Sequence, residues 1–208
     1  MNLLAKARWV LALVVVASYP PSLLLWLAIH PFAAFWRRLG PIATYAVLAV
    51  PLAGYVAGVW LARDRLLGRD LGAAAVTLVL AASCLAAAFL LNRQRQKQLN
   101  FGNLSGIPEL SREQYPGRLL TDGVYGLVRH PRYIEATLWV LAYAFFANYS
   151  GAYLTVVLCL PLMYAVVVVE ERELGERFGS EYEAYCRQVP RFVPRLRSQK
   201  DGDQPTMG

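Results

Sequence analysis

Long apolar runs constrain this chain more than any other feature. Residues 9–29, 41–61 and 71–91 are almost wholly apolar, and shorter runs follow at 134–147 and 152–169. A helix rises about 1.5 Å per residue, so each of the first three is long enough to cross ~30 Å of hydrocarbon. Neither the two-residue alternation of a half-buried strand nor the one-sided stripe of a soluble helix is present. With 57% hydrophobic and only 17% charged residues, against about 25% charged in soluble domains, the chain is built for lipid.

The first run begins like a leader peptide, with Lys6 and Arg8 ahead of apolar residues ending near Ala17-Ser18. It continues past Tyr19-Pro20-Pro21, too far for a cleaved leader, and predicts a transmembrane helix kinked at the prolines. The net charge of +7 does not point to nucleic acid, because the basic residues are dispersed around the apolar runs and no nucleic-acid motif occurs. Flanking charge of this kind suits lipid headgroups and sets orientation. Three cysteines, Cys84, Cys159 and Cys186, form no CxxC or Cys/His cluster, and only two histidines are present, so neither a disulfide framework nor a metal site is expected.

Between the third and fourth runs lies a polar connection, 92–133, punctuated by Gly102, Gly106, Pro108, Pro116, Gly117, Gly123 and Gly126. A connection of that length is usually functional. Residues 134–147 make a short arm, and a helix starting at Pro131 would lengthen it, since proline suits the first helical position. The uncharged turn 148–151 then joins it to the second arm as a helical hairpin. Beyond Val169 the pattern becomes charged and helical, breaks at Gly179, restarts briefly and stops at Val189-Pro190. The expected fold is therefore all-α and polytopic. It has about five transmembrane helices, the last two a hairpin, and a short cytoplasmic C-terminal helix. Residues 1–91 supply three spans, 92–197 form one integrated unit, and 198–208 read as a disordered tail.

Seven Lys and Arg residues fall in 92–133, seven after Val169 and none in the hairpin turn. The two basic regions are thus expected on the cytoplasmic side and the turn outside. The N-terminus then lies outside, as does the loop with Arg63, Arg65 and Arg69, which runs against the charge rule.

A hairpin returns its ends to one place. Arg129-His130-Pro131 precedes the first arm and Glu170-Glu171 ends the second, so a cationic corner should meet an acidic pair at the membrane surface. A zwitterion fits such a corner, its carboxylate on Arg129, His130 and free helix-start N–H groups and its ammonium on a glutamate. Tyr125 and Tyr133 add aromatic faces. Glu173 with Arg177 and Arg172 with Glu176 stand four apart and satisfy each other, whereas Glu170 and Glu171 have no basic partner at that spacing. Taken singly, each feature also has a plainer role: Arg129 and Arg132 as headgroup anchors, His130 as a cap, the tyrosines as an interfacial belt.

The segments "GVYGLVRHPRY" and "EERELGERFGSEYEAYCRQVPRFVP", separated by a helical hairpin, resemble the membrane-embedded S-adenosylmethionine-dependent methyltransferases. That group includes isoprenylcysteine carboxyl methyltransferase and the phospholipid N-methyltransferases. The resemblance covers roughly 117–196. It implies a pocket for S-adenosylmethionine formed by Leu119, Leu120, Tyr125, Arg129, His130 and Tyr133, with Glu170 or Glu171 on the amino group. It also implies a lipophilic small-molecule or lipid acceptor entering from the membrane between helices. One departure stands out: the carboxyl methyltransferases carry an arginine about one turn before the acidic pair, and residues 164–169 here hold no basic residue.

Methyl transfer from a sulfonium is an in-line displacement that needs alignment and exclusion of water rather than a metal or a covalent residue. A carboxylate or thiolate acceptor needs no base, whereas an ammonium must first lose a proton. Glu135 is a possible catalytic base, or equally a favourable charge in a helix's first turn. The acceptor is left open among isoprenylated cysteine, phospholipid amine and small thiol or acid. The rival class is a non-enzymatic transporter or assembly factor, but a transporter would place polar groups near the bilayer midplane, where these runs have almost none.

Overall fold

The computed structural model describes residues 2–29, 31–96 and 119–194. Seven α-helices and one 3-10 turn occur among them, and no named strand. The helices are α1 (Leu3–Ile29), α2 (Ala33–Leu61), α3 (Arg63–Leu67), α4 (Ala75–Gln96), α5 (Pro131–Ala147), α6 (Ser150–Phe178) and α7 (Ser180–Gln188); the 3-10 turn is Gly123–Gly126. Four helices are long and apolar enough to cross a membrane: α1, α2 from Arg38 to Leu61, α4 and α6. With 17 residues, or about 25 Å, α5 is the short fifth arm. The protein is an all-α integral membrane protein. The expected tail 198–208 and most of the connection, 97–118, lie outside the described residues.

Each helix departs from its apolar run for a local reason. Helix α1 starts at Leu3 and stays one helix through Pro20 and Pro21. Pro20 has no N–H to give the Val16 carbonyl, and the Tyr55 hydroxyl of α2 donates to that carbonyl instead, at 2.8 Å. Helix α2 begins at Ala33, eight residues before the expected start, and is interrupted at Gly40, whose φ of 77° is left-handed. Helix α4 begins at Ala75 rather than Leu71 because 69–72 docks on the hairpin turn. The Leu71 N–H donates to the Asn148 carbonyl, the Asn148 side-chain amide to the Gly72 carbonyl, and the Ser150 N–H to the Arg69 carbonyl. Helix α5 begins at Pro131, as the N1 preference predicts.

The hairpin turn is tight because Gly151 leaves no room for a side chain: an added Cβ would lie 1.8 Å from the Leu66 carbonyl oxygen. Ala144, Ala147 and Ala152, all fully buried, continue this small-residue packing into a core with Ala12, Val15, Val16, Val59 and Val156. Close backbone approach through small residues is the usual basis of helix association in lipid. On the same side Arg8, 4% exposed, is ion-paired with Asp70 and lies 5.7 Å from the Tyr149 ring. The N-terminus, the Arg63–Arg69 loop and the turn thus share one end of the bundle. Helix α5 packs on α4, α1 and α6. Val76, Val79, Phe89 and Leu90 of α4, like Leu154, Val157 and Leu158 of α6, are exposed, as lipid-facing side chains would be.

Candidate functional site

At the opposite end, the start of α5 and the end of α6 meet as the hairpin requires. Their junction is closed by the segment after α7. The Arg129 N–H donates to the Pro190 carbonyl at 2.9 Å and the His130 N–H to the Arg191 carbonyl at 3.2 Å. This strap follows directly from Val189-Pro190 ending α7, and it carries Arg191 and Phe192 into the site.

Glu171 is the hub. Its Oε1 accepts from Arg129 Nη2 at 2.9 Å and Arg191 Nε at 3.0 Å, and faces His130 Nε2 at 2.9 Å. Its Oε2 accepts from Arg191 Nη2 at 2.5 Å. The remaining Arg129 nitrogen, Nη1, donates to the carbonyls of Cys186 and Val189, each at 2.9 Å, and so closes the C-terminal end of α7. Arg191 Nη1 donates to the Tyr164 hydroxyl at 2.6 Å. The expectation that both glutamates lack basic partners holds only within the helix. Partners for Glu171 come from 42 and 20 residues away.

Glu170 differs from its neighbour. Its Oε2 is buried and has no hydrogen-bond partner among the described residues; His130 Nδ1 lies 3.8 Å away. If His130 Nε2 carries the proton toward Glu171, Nδ1 is an acceptor. Two acceptors, Glu170 Oε2 and His130 Nδ1, then face one another without a donor between them. A cation with several N–H groups is the complement of such a gap.

The other expected residues divide into two groups. His130 is 3% exposed, with the Tyr133 ring edge-on at 5.8 Å and Phe192 at 5.9 Å. Tyr133 itself is buried with Tyr19, Leu23, Val166 and Val167. Tyr125 stands in the 3-10 turn; burial raises its phenol above the ordinary range, while Arg95 and Arg132 lower it and Glu170 and Glu135 raise it. The turn itself packs against α4. Leu119, by contrast, packs beneath α7 with Tyr182, Tyr185 and Val189, and Leu120 beside it is half-buried. Burial pushes the Tyr185 phenol up to about 12, so it stays protonated and donates to the Tyr125 carbonyl at 2.7 Å, tying α7 to the turn.

Glu135 is not a solitary carboxyl. It is buried on α5 and accepts from Arg95 Nε of α4 at 2.7 Å. Of the first-turn N–H groups, those of Tyr133 and Ile134 return to the His130 carbonyl, so they are not free for a ligand. Arg132 leaves the site and lies over the Trp26 ring at 4.8 Å, in keeping with an interfacial anchor.

The sequence profile of the phospholipid methyltransferase family matches residues 76–181, half of the chain. The chain belongs to the phospholipid methyltransferase family. This agrees with the resemblance carried by "GVYGLVRHPRY" and the acidic helix end. Among curated relatives, protein-S-isoprenylcysteine O-methyltransferase of Schizosaccharomyces pombe is 32% identical over 79 residues, 38% of this chain and 34% of that protein. A cobalt-zinc-cadmium resistance protein of Cupriavidus metallidurans is 37% identical over 79 residues, 38% of this chain and 36% of its own length. Protein-S-isoprenylcysteine O-methyltransferase B of Arabidopsis thaliana is 32% identical over 98 residues, 41% of this chain and 44% of that protein. The matched stretch thus spans between a third and a half of each relative. No solved structure matches the chain. The family match takes in α4, the 3-10 turn and both hairpin arms, but Arg191 and the strap fall beyond it.

Two contributors escaped the sequence pattern. Arg95 reads as a flanking charge in "NRQRQ", and only its partner 40 residues on gives it meaning. Arg191 brings a guanidinium beside Tyr164, close to where the carboxyl methyltransferases carry their arginine, but from the far end of the chain.

Proposed function

We propose that this protein is a membrane-embedded methyltransferase that uses S-adenosylmethionine and a lipophilic acceptor. Glu170 is the single observation that carries this proposal. A buried carboxylate oxygen without a partner, beside an imidazole nitrogen, at the end of a membrane helix, suits the ammonium of an amino acid. Leaving a charged acceptor unmade costs more than about 1–3 kcal/mol, so a ligand that fills it gains affinity.

The residues divide the work. Glu170 and His130 Nδ1 hold the amino group, and the Tyr125 ring lines the wall toward Arg95. Glu171 faces inward to the protein: it fixes the His130 ring and anchors Arg129 and Arg191, and so positions the site without touching the ligand. S-adenosylmethionine supplies an electrophilic methyl group when bound. The chain's part is to align the acceptor and exclude water, which the buried junction of α5, α6 and the strap is shaped to do. Residues 92–197 act as one unit on this account. On this reading the site lies on the cytoplasmic face, which their excess of Lys and Arg supports.

The two O-methyltransferases among the relatives favour an isoprenylcysteine carboxylate as acceptor, and the family name leaves a phospholipid amine as the second candidate. Calorimetric titration of S-adenosylmethionine into the detergent-solubilised protein tests the proposal. Wild type binds, and His130→Ala binds at least tenfold more weakly while inserting normally. Absence of wild-type binding, or equal affinity in both, refutes it.

A further inference from the structure

Next to the cofactor site, α4 and α5 bury a second polar group that no contact among the described residues satisfies. Arg95 is 5% exposed, its Nε is bound to Glu135, and its Nη1 is buried without a hydrogen-bond partner. One turn earlier on the same face of α4, the side-chain amide of Asn92 buries its Oδ1, also without a partner. Both lie in the last turns of a helix long enough to cross the membrane, at its site end. The 3-10 turn that carries Tyr125 joins the two places, since it packs against α4 and leads within a few residues to His130.

We propose that Arg95 and Asn92 form the seat for an anionic oxygen of the lipophilic acceptor, with Glu135 as the positioning residue that holds the guanidinium in place. This rests on the methyltransferase proposal above. A cationic donor buried without an acceptor calls for an anion, because a charge-assisted hydrogen bond is about twice as strong as a neutral one. Turning the Asn92 amide by 180° presents its N–H to the same oxygen, and that choice of orientation is open at any amide. Charge balance agrees. Arg95, Arg129 and Arg191 balance Glu135, Glu170 and Glu171 among the described residues, leaving no net charge. A sulfonium amino acid brings one net positive charge, so an anionic acceptor is favoured and an ammonium is opposed.

A carboxylate fits better than a phosphate that merely steers an amine. The carboxylate oxygen gains the methyl as the carbon–sulfur bond of the sulfonium breaks, the bonding pair stays on sulfur, and no proton moves. An amine would need a base, and the carboxylate adjoining Arg95 is already engaged by it. The membrane-facing position of α4 gives the acceptor's hydrocarbon a route along the exposed Phe89 and Leu90.

The test compares N-acetyl-S-farnesylcysteine with its methyl ester, in which a methyl group replaces the negative charge on one oxygen. Binding is read by calorimetry in detergent, in the presence of S-adenosylhomocysteine. Wild type should bind the acid roughly tenfold more tightly than the ester, as one charged hydrogen bond implies. In Arg95→Gln/Glu135→Gln, where two amides replace the ion pair, the preference should vanish while S-adenosylmethionine affinity stays within about twofold. Arg95→Lys keeps the charge and serves if the double variant does not fold; it should retain part of the preference. Equal binding of acid and ester by wild type, or an undiminished preference in a folded double variant, overturns the proposal. So does competition by phosphatidylethanolamine without discrimination between acid and ester. A wild-type protein with no affinity for S-adenosylmethionine fails on different grounds, those of the methyltransferase proposal itself.

Discussion

Replacing each member of the acidic pair by glutamine separates positioning from binding. The Glu171 carboxylate, 13% exposed, neutralises Arg129, 11% exposed, and Arg191, 32% exposed, and holds the His130 ring. Glu171→Gln turns one acceptor oxygen into a donor aimed at guanidinium groups. Breaking a buried pair by removing one partner costs about 3–5 kcal/mol. The partly exposed Arg191 side is screened and contributes little, so the lower end applies, and roughly 3 kcal/mol is expected. Glu170 Oε2 has no partner among the described residues, so Glu170→Gln should leave the stability of the ligand-free protein unchanged or raise it. Its loss should appear in cofactor affinity, at about 1.5–3 kcal/mol or roughly ten- to hundredfold. Thermal unfolding followed by tryptophan fluorescence reads the first effect, and calorimetric titration of S-adenosylmethionine the second. If Glu170→Gln lowers Tm as much as Glu171→Gln, or if its cofactor affinity is unchanged, the division of roles is refuted.

Gly151→Ala should destabilise the hairpin by more than the usual ~1–3 kcal/mol of an overpacked core, because the obstacle is the Leu66 backbone; lowered Tm and faster proteolysis would register it. Stability should also depend on acid through Asp70. Burial opposes its ionisation, but the Gly72 N–H and Arg8 outweigh it and hold the carboxyl below its ordinary range. Its folded value is thus the lower one, and its contribution, present above the ordinary value of roughly 4, is lost as pH falls through the depressed one. Tm measured from pH 7 downward should stay flat to about pH 5 and then fall, and Asp70→Asn should blunt that fall. In a variant lacking Cys84, Cys159 and Cys186, cysteines placed at Ser150 and at Glu181 should label from opposite sides of the membrane. Labelling from one side would break the hairpin topology.

Much of the fold was legible because lipid imposes simple rules. Apolar length marked the spans, and Pro131 marked the start of α5 through its missing N–H and fixed φ. The hairpin's closure then brought Arg129-His130 to Glu170-Glu171 with no further information. What escaped were terms set by tertiary partners. Helix α4 runs beyond Asn92 because Arg95 finds Glu135 on α5, and a polar "NRQRQ" reads locally as a helix's end. The two glutamates look alike in sequence, and only the strap carrying Arg191 saturates one and leaves an oxygen of the other without a partner. Leu119 shares the segment of Tyr125 yet packs under α7, since one residue's facing in an irregular segment has no period to reveal it.

Transfer of a labelled methyl group decides whether the protein is a methyltransferase. Purified protein in nanodiscs, given methyl-labelled S-adenosylmethionine and N-acetyl-S-farnesylcysteine, should move label into a product extractable by organic solvent. Alkali should release that label as methanol, the mark of an ester, and Glu170→Gln should slow its formation at limiting cofactor. Label that never leaves the cofactor, with prenylcysteine, phospholipid and lipophilic thiol alike, would contradict the account.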